Sequence, residues 1–278
     1  MGPSAIRIAS LGTRLEELGH RVIEYGNIGA TDMSTAKVGD VRARYLADIL
    51  SACTLIAGNV SKCVRGGAFP LVLGGDQSVS IGTATGLAEA GTRRGVVWID
   101  AHADFNTTQT TPSGNVHGMA LAAILGHGHP KLARLGGVHP KAVEENTVLV
   151  GGRSFDPAEA KAVSRSKITV YSMKDIDELG IGRVMRESLK IVSKGVEEVH
   201  LSFDVDALDP MEAPGTGTPV RGGLTYREAH LAMELLHESR KVTSAEFVEV
   251  NPILDSANQT AELAVELILS LFGKRITA

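Results

Sequence analysis

Apolar and polar positions along the chain follow two rhythms. Short apolar runs stand at Phe69-Leu73, Val96-Ile99, Thr147-Val150, Ile168-Tyr171, Val199-Phe203 and Thr243-Val250, with a briefer one at Arg21-Tyr25. An unbroken run such as Val96-Val97-Trp98-Ile99 predicts a strand buried on both faces, as in a parallel sheet. Stretches with helical spacing fall between the runs. One helix is expected near Pro3 and another over Arg14 to Leu18. The spacing predicts a long helix over Asp40 to Arg65, ended by Gly66-Gly67. Further helices are expected over Ser80 to Ala90, Met119 to Leu125, Ala158 to Arg165, Thr225 to His237 and Ala257 to Leu271, with Ile176 to Ser193 mostly helical. Polar loops separate them at Gly26 to Gly39, Asn106 to Gly118 and Asp209 to Gly223. Strands alternating with helices argue for right-handed crossovers and a doubly wound parallel sheet, an α/β fold in one domain over residues 1–278.

Two strand ends carry the candidate chemistry. The run Val96-Ile99 leads straight into Asp100, His102 and Asp104. Unpaired carboxylates there would cost several kcal/mol or take up protons, at roughly the level typical of buried charge. A lone D-x-H-x-D also suits a capped turn. The run ending at Phe203 repeats the design with Asp204 and Asp206. Residues i and i+2 share a side of an extended chain, so both sets can face one pocket. These ligand-type side chains are too many for one small cation with an open position, and they suit two cations about 3.5 Å apart sharing a water. Oxygen ligands with some imidazole fit Mn²⁺ better than Zn²⁺. Such sites lie beyond the carboxyl ends of the strands.

Composition narrows the partners. The formal net charge is −4, without a basic block that would suggest nucleic acid. No apolar run is expected to reach the roughly 20 residues of a membrane span, and no signal segment opens the chain. Two cysteines, Cys53 and Cys63, are too few for a disulfide framework. They suit small buried hydrophobes in a reducing, cytoplasmic setting. His127, His129 and His139 sit among Gly and Pro and read as a solvated loop. Arg227-Glu228 at a helix start reads as an interface or surface feature. Glu249 ends an apolar run, where a guanidinium partner explains a carboxylate better than packing does. His117, beside Gly118 and a few residues past the carboxylates, suits proton shuttling.

Four motifs occur in order: Gly74-Gly75-Asp76-Gln77-Ser78, Asp100-Ala-His102-Ala-Asp104, Ser202-Phe-Asp204-Val-Asp206 and Glu246-Phe-Val-Glu249-Val-Asn251-Pro252. Together they resemble the ureohydrolase family, most closely its bacterial arginases, over essentially the whole chain. The resemblance implies a three-layer α/β/α sandwich around a mostly parallel sheet, two Mn²⁺ per subunit and a homo-oligomer, trimer or hexamer. It implies hydrolysis of L-arginine to L-ornithine and urea by a metal-bridging hydroxide. Asp100 and Asp204 would bridge the metals, His102 and Asp206 would complete one site, and Asp104 the other. Asp104 would carry a proton to the leaving amine, with His117 as shuttle. Asn106, Ser113 and Asn115 match residues that bind the substrate α-carboxylate, Asp156 the one that meets the α-amino group, and Thr218 one near the guanidinium. Glu249 would meet the guanidinium itself.

Two features depart from the family pattern. Gln77 stands where the family has a metal-ligating histidine, and a neutral amide oxygen is the weaker ligand. The family also has a strand and a Gly-rich turn ahead of the segment matching Gly2 to Arg7, so the first strand is expected to be absent. Two other readings follow from the same residues. One is hydrolysis of another guanidino compound such as agmatine, against which the Ser113-Gly114-Asn115 loop argues. The other is an impaired homologue serving as a binding subunit, which Gln77 and the short start would favour.

Overall fold

The computed structural model describes residues 1–31, 35–91 and 93–275. Its elements run α1 Gly2–Ile8, α2 Leu11–Glu17, α3 Leu46–Arg65, β1 Leu71–Leu73, α4 Val79–Glu89 and β2 Arg94–Ile99. There follow α5 Ala120–Ile124, α6 Pro130–Ala133, β3 Thr147–Gly152, α7 Pro157–Val163, β4 Thr169–Ser172, α8 Met173–Leu179 and α9 Ile181–Val192. The chain closes with β5 Glu198–Asp204, α10 Tyr226–Ser239, β6 Val242–Val248 and α11 Gln259–Leu271. The strands form one six-stranded sheet in the order β1-β6-β5-β2-β3-β4. Every pair is parallel.

Alternation along each strand feeds two cores. Val97, Ile99, Leu201, Phe203 and Phe247 pack with buried residues of α1, α2, α9, α10 and α11. Val96, Trp98 and Leu149 face the other way, onto Cys53 of α3, Ile81 and Ala84 of α4, and α5. Both faces of the sheet are covered, which is why its strands read as apolar runs rather than as alternating ones. The result is a three-layer α/β/α sandwich.

Several boundaries differ from the sequence expectation. Arg21–Tyr25 forms no strand: Val22 packs on the core while Ile23 and Tyr25 are exposed, so the run has no ladder partner. Residues 32–34 of the expected loop lie outside the described residues. The helix expected from Asp40 starts at Leu46, because Tyr45 takes a left-handed φ of 58° and its N–H goes to Val38 O at 2.8 Å. Gly180, with φ 77°, splits the 176–193 stretch into α8 and α9. A 3₁₀ turn at His117–Met119 precedes α5. Among the described residues one helix is long and apolar enough to cross a membrane, contrary to expectation. This is α3, with 20 residues and a mean hydropathy of 1.2. Here it lies against α4 and buries Cys53, Ile56, Ala57 and Val60. Cys53 and Cys63 are free and buried, and burial pushes the Cys53 thiol up to about 12.

The central strand is held tightly. A Cβ on Gly95 would lie 1.9 Å from Val192 O, so α9 can approach β2 only over a glycine. Gly95→Ala should therefore destabilise the fold by about 1–3 kcal/mol, the usual cost of overpacking. A urea melt should show a lower midpoint at unchanged slope, and an unchanged midpoint would refute the close approach.

Candidate active site

The sheet register assembles the site. Ile99 pairs with Phe203, so Asp100 and Asp204 leave adjacent strands side by side. Asp204 pairs with Val248, which brings Glu249 next in line. Glu249 N–H donates to Gly75 O at 2.8 Å, which ties in the Gly74-Gly75-Asp76-Gln77 turn after β1. Arg153 N–H donates to Ala101 O at 2.8 Å, which ties in the turn after β3. Five strand ends thus meet at one edge of the sheet.

Asp100, His102 and Asp206 present ligand atoms all within 4.8 Å of one another. His102 Nδ1 lies 3.0 Å from Asp206 Oδ2 and 3.5 Å from Asp100 Oδ1. Neighbours hold each carboxylate in place. Asp100 accepts from Trp98 Nε1 at 3.0 Å and from its neighbour His102 N–H at 2.7 Å. Asp206 accepts from Thr218 Oγ1 at 2.8 Å and from Ala101 N–H at 3.3 Å. Asp204 accepts from Asp206 N–H at 2.7 Å. Asp104 and Asp204 stand outside the three-residue group but are buried in the same electrostatic pocket. Asp104 has a left-handed φ of 49°, and its Oδ2 is buried without a hydrogen-bond partner. Glu249 has a φ of 65°. Non-glycine residues held in that region carry strain that the surroundings must fix, which is common where function places a side chain.

Protonation registers the crowding. Burial, helped by the Asp206 charge, pushes the Asp100 carboxyl up to about 7. Burial and then the Asp100 charge hold Asp104 well above the usual carboxylate range. Asp204 is raised likewise by burial, then by Asp206 and Asp100. Burial also presses on Asp206, but hydrogen bonds from His102 and Thr218 prevail and keep it low. His102 is opposed by burial yet rises to about 11, because Asp100 and Asp206 both favour its charged form. Without a cation the pocket thus keeps its balance with protons. A buried cluster of oxygen ligands, one imidazole and an orphaned Asp104 oxygen fits divalent cations of the Mn²⁺ type.

The remaining candidates surround this cluster. His117 Nδ1 lies 3.4 Å from Glu249 Oε1, and that contact foremost raises the imidazole's pKa against burial. Glu249 Oε1 also accepts from Gln77 N–H at 2.8 Å. Asn106 Nδ2 donates to Asp156 Oδ2 at 2.9 Å, and Asn106 Oδ1 is buried without a partner. Ser113 Oγ accepts from Asn115 N–H at 3.1 Å. Thr218, expected near the guanidinium, is placed on Asp206. Gln77 donates through Nε2 to Ser80 Oγ at 2.6 Å and Ser202 Oγ at 2.9 Å. The loop histidines stay apart from the site: His127 pairs with Glu144 at 2.6 Å, His129 caps α6, and His139 faces Ala133 O. Arg227 pairs with Glu234 on its own helix.

Two supporting residues were not singled out by sequence. Arg153 donates to five carbonyl oxygens: Gly151, Asp206, Ala207, Leu208 and Val220. It clamps the turn that carries Asp206 to the segment after Thr218. An arginine directly behind an apolar strand was the available signal. Glu159 is buried and accepts from Phe105 N–H at 2.9 Å and Asp156 N–H at 3.1 Å, joining α7 to the turn after Asp104. Its signal was the capping box Asp156-Pro-Ala-Glu159.

The fold and the site define an α/β protein with a buried carboxylate–imidazole centre at the carboxyl ends of its parallel strands. The family model described as "Arginase family" matches residues 1–273. The arginase of Bacillus caldovelox is 50% identical over 277 residues, covering 99% of this chain and 93% of that protein. The arginase of Bacillus subtilis strain 168 is 49% identical over 277 residues, covering 99% and 92%. The crystal structure of arginase from Bacillus cereus superposes with a TM-score of 0.94 at 48% identity, covering 100% of this chain and 93% of that one. The chain belongs to the arginase family and is a hydrolase of that family.

The protonation pattern gives a signed expectation. Asp100 and His102 both titrate above their ordinary values of 3.8 and 6.5. Their contribution to stability is complete below those ordinary values. It is lost as pH climbs through about 7 for Asp100 and about 11 for His102. In EDTA the melting temperature should therefore fall between pH 5 and pH 8. Added Mn²⁺ competes with the same protons, so its stabilisation should grow with pH. A Mn²⁺-induced gain equal at both pH values would contradict this account.

Proposed function

We propose that the chain hydrolyses L-arginine to L-ornithine and urea with two Mn²⁺ per subunit. The observation that carries the reading is the meeting of Asp100, His102 and Asp206 beside the orphaned Asp104 oxygen, with Glu249 on the next strand. Asp100 and Asp204 would lie between the cations, with His102 and Asp206 on one and Asp104 with the Gln77 side chain on the other. When bound, such a pair lowers the pKa of a shared water so that it serves as nucleophile near neutral pH.

The chain's own residues do the rest. Glu249 is turned to the site by its left-handed backbone and supplies the carboxylate for a substrate guanidinium. As water oxygen bonds to the guanidino carbon, the bond from that carbon to the δ-nitrogen breaks. Asp104 takes the water proton on its free oxygen and passes it to the departing amine. His117, partly exposed and paired with Glu249, exchanges protons with solvent. At the other end of the substrate, Asn106, Ser113 and Asn115 bind the α-carboxylate and Asp156 meets the α-amino group. Neutral donors opposite an acceptor suit a zwitterion. Agmatine, lacking the carboxylate, is the alternative substrate. We also propose a cytoplasmic homo-oligomer, trimer or hexamer. Two free buried thiols are compatible with a reducing compartment.

Asp100→Asn should lower urea release roughly a hundredfold or more and reduce bound manganese, since one carboxylate would serve both cations. A variant with normal turnover and full metal content would remove the two-cation reading. Gln77 should leave its cation the weaker-bound, by about 1.4 kcal/mol or more, a tenfold change in affinity. The expected outcome is one tightly held Mn²⁺ as purified and activity that rises with added Mn²⁺. Gln77→His should bring the tightly bound count to two. Two tight sites in the unaltered chain would show that the glutamine is a full ligand. No urea from either protein at saturating Mn²⁺ would favour the impaired-subunit reading.

A further inference from the structure

The turn before α3 packs on the loop that follows Asp104, and a cavity of about 400 Å³ lies between them. Arg42, Arg44, Thr111 and Ser113 contribute to its wall, and among the described residues its charged lining consists of the two arginines. The two segments are locked together through the backbone. Arg44 N–H donates to Gly114 O at 2.9 Å, and Arg42 Nη1 donates to Thr108 O at 3.0 Å. Gly114 has a φ of 76°, and a Cβ there would fall 1.8 Å from Val41 O. Only glycine allows this approach, so Arg44 is fixed relative to Ser113 and Asn115. The Arg42 backbone N–H is held by Asp40 Oδ1 at 2.9 Å, and its guanidinium is engaged on Thr108. The Arg44 guanidinium, by contrast, makes no hydrogen bond or ion pair among the described residues and is only half exposed. Ser113 Oγ accepts from Asn115 N–H, so its own proton is still available to donate.

We propose that Arg44 is a specificity-determining residue that selects guanidino substrates bearing a free carboxylate. The inference rests on the reading above, in which the loop holding Ser113 and Asn115 receives the substrate's far end. The site is then bipolar. Carboxylates gather at the strand ends where a guanidinium is taken, and unpaired cationic charge stands beside the loop. A substrate with opposite charges at its two ends is aligned by that field, and a planar guanidinium can take a carboxylate through two parallel hydrogen bonds. A decarboxylated analogue presents only cationic groups and gains nothing from Arg44.

The test compares the unaltered chain, Arg44→Gln and Arg44→Lys, all loaded with Mn²⁺. With L-arginine, Arg44→Gln should raise KM roughly tenfold and leave kcat within about twofold, the signature of lost uniform binding. With agmatine, kcat/KM should stay level or rise. Arg44→Lys should fall between, since it keeps the charge without the fork. Calorimetry with L-ornithine and putrescine reads the same preference without turnover: Arg44→Gln should weaken ornithine and leave putrescine unchanged. Equal losses for both substrates, or unchanged ornithine affinity, would overturn the assignment. If the unaltered chain makes no urea yet its ornithine binding depends on Arg44, the proposed reaction fails and the role of Arg44 stands.

Discussion

The constraint on which the molecule turns is the concentration of carboxylates in a pocket from which water is nearly excluded. Asp100, Asp104, Asp204 and Asp206 are all buried. Their mutual repulsion in a low-dielectric setting would unmake the site without fixed compensation. The fold supplies it from several directions. Backbone N–H groups at the strand ends donate to the acids, Trp98 reaches from the core to Asp100, and His102 stands between Asp100 and Asp206. Arg153 adds a guanidinium behind the Asp206 turn, spent wholly on carbonyl oxygens. Its charge therefore favours the acids without neutralising any of them directly, and the cluster keeps its demand for a cation.

Parallel register converts that local problem into a geometry. The pairings of β2 with β5 and of β5 with β6 place Asp100, Asp204 and Glu249 in adjacent columns. A one-residue slip would send each of them to the opposite face. The slip is resisted by the two cores, because the same alternation that aims the acids also buries Trp98 on one side and Phe203 stacked on Phe247 on the other. Packing far from the chemistry therefore fixes the chemistry, and Gly95 under α9 belongs to that packing as much as any apolar residue.

Much of this was legible in the residues. Apolar runs ending in acids pointed to the sheet, its direction and the cluster of Asp100, His102 and Asp206, because burial on both faces leaves an unbroken pattern. What stayed hidden depended on partners distant in sequence. Arg21–Tyr25 has a strand-like pattern but finds no ladder, which no local rule reveals. The helix expected from Asp40 starts late, at Leu46, because the backbone N–H groups of Arg44 and Tyr45 are drawn to Gly114 O and Val38 O instead. Arg153 and Glu159 act through backbone groups of other loops, so their residue types alone carried little signal. The length and apolarity of α3 satisfy a membrane criterion, yet α4 covers one of its faces.

Gln77 shows how the same constraint bears on a single departure from the family pattern. An imidazole can offer one nitrogen forward and anchor the other behind. The amide does something comparable here: its nitrogen is anchored on Ser80 and Ser202, and its Oε1 is buried without a partner. Beside Ser202 in the sheet stands Glu246, wholly buried; burial presses its carboxyl upward, but His200, Ser80 and Thr83 prevail and keep it low. The position that holds a ligand in the family pattern is thus occupied by a weaker donor in an orderly setting, with Ser80 between the amide and the Glu246 carboxylate. Outer partners fix and tune an inner ligand, and serine hydroxyls supply less electron density to an amide than a carboxylate supplies to an imidazole. On the two-cation reading proposed above, the inequality between the sites would follow from the Gln77 side chain and from the layer that orients it. The amide is oriented as a ligand should be, and the buried carboxylate behind it acts through the Ser80 hydroxyl rather than on the amide directly.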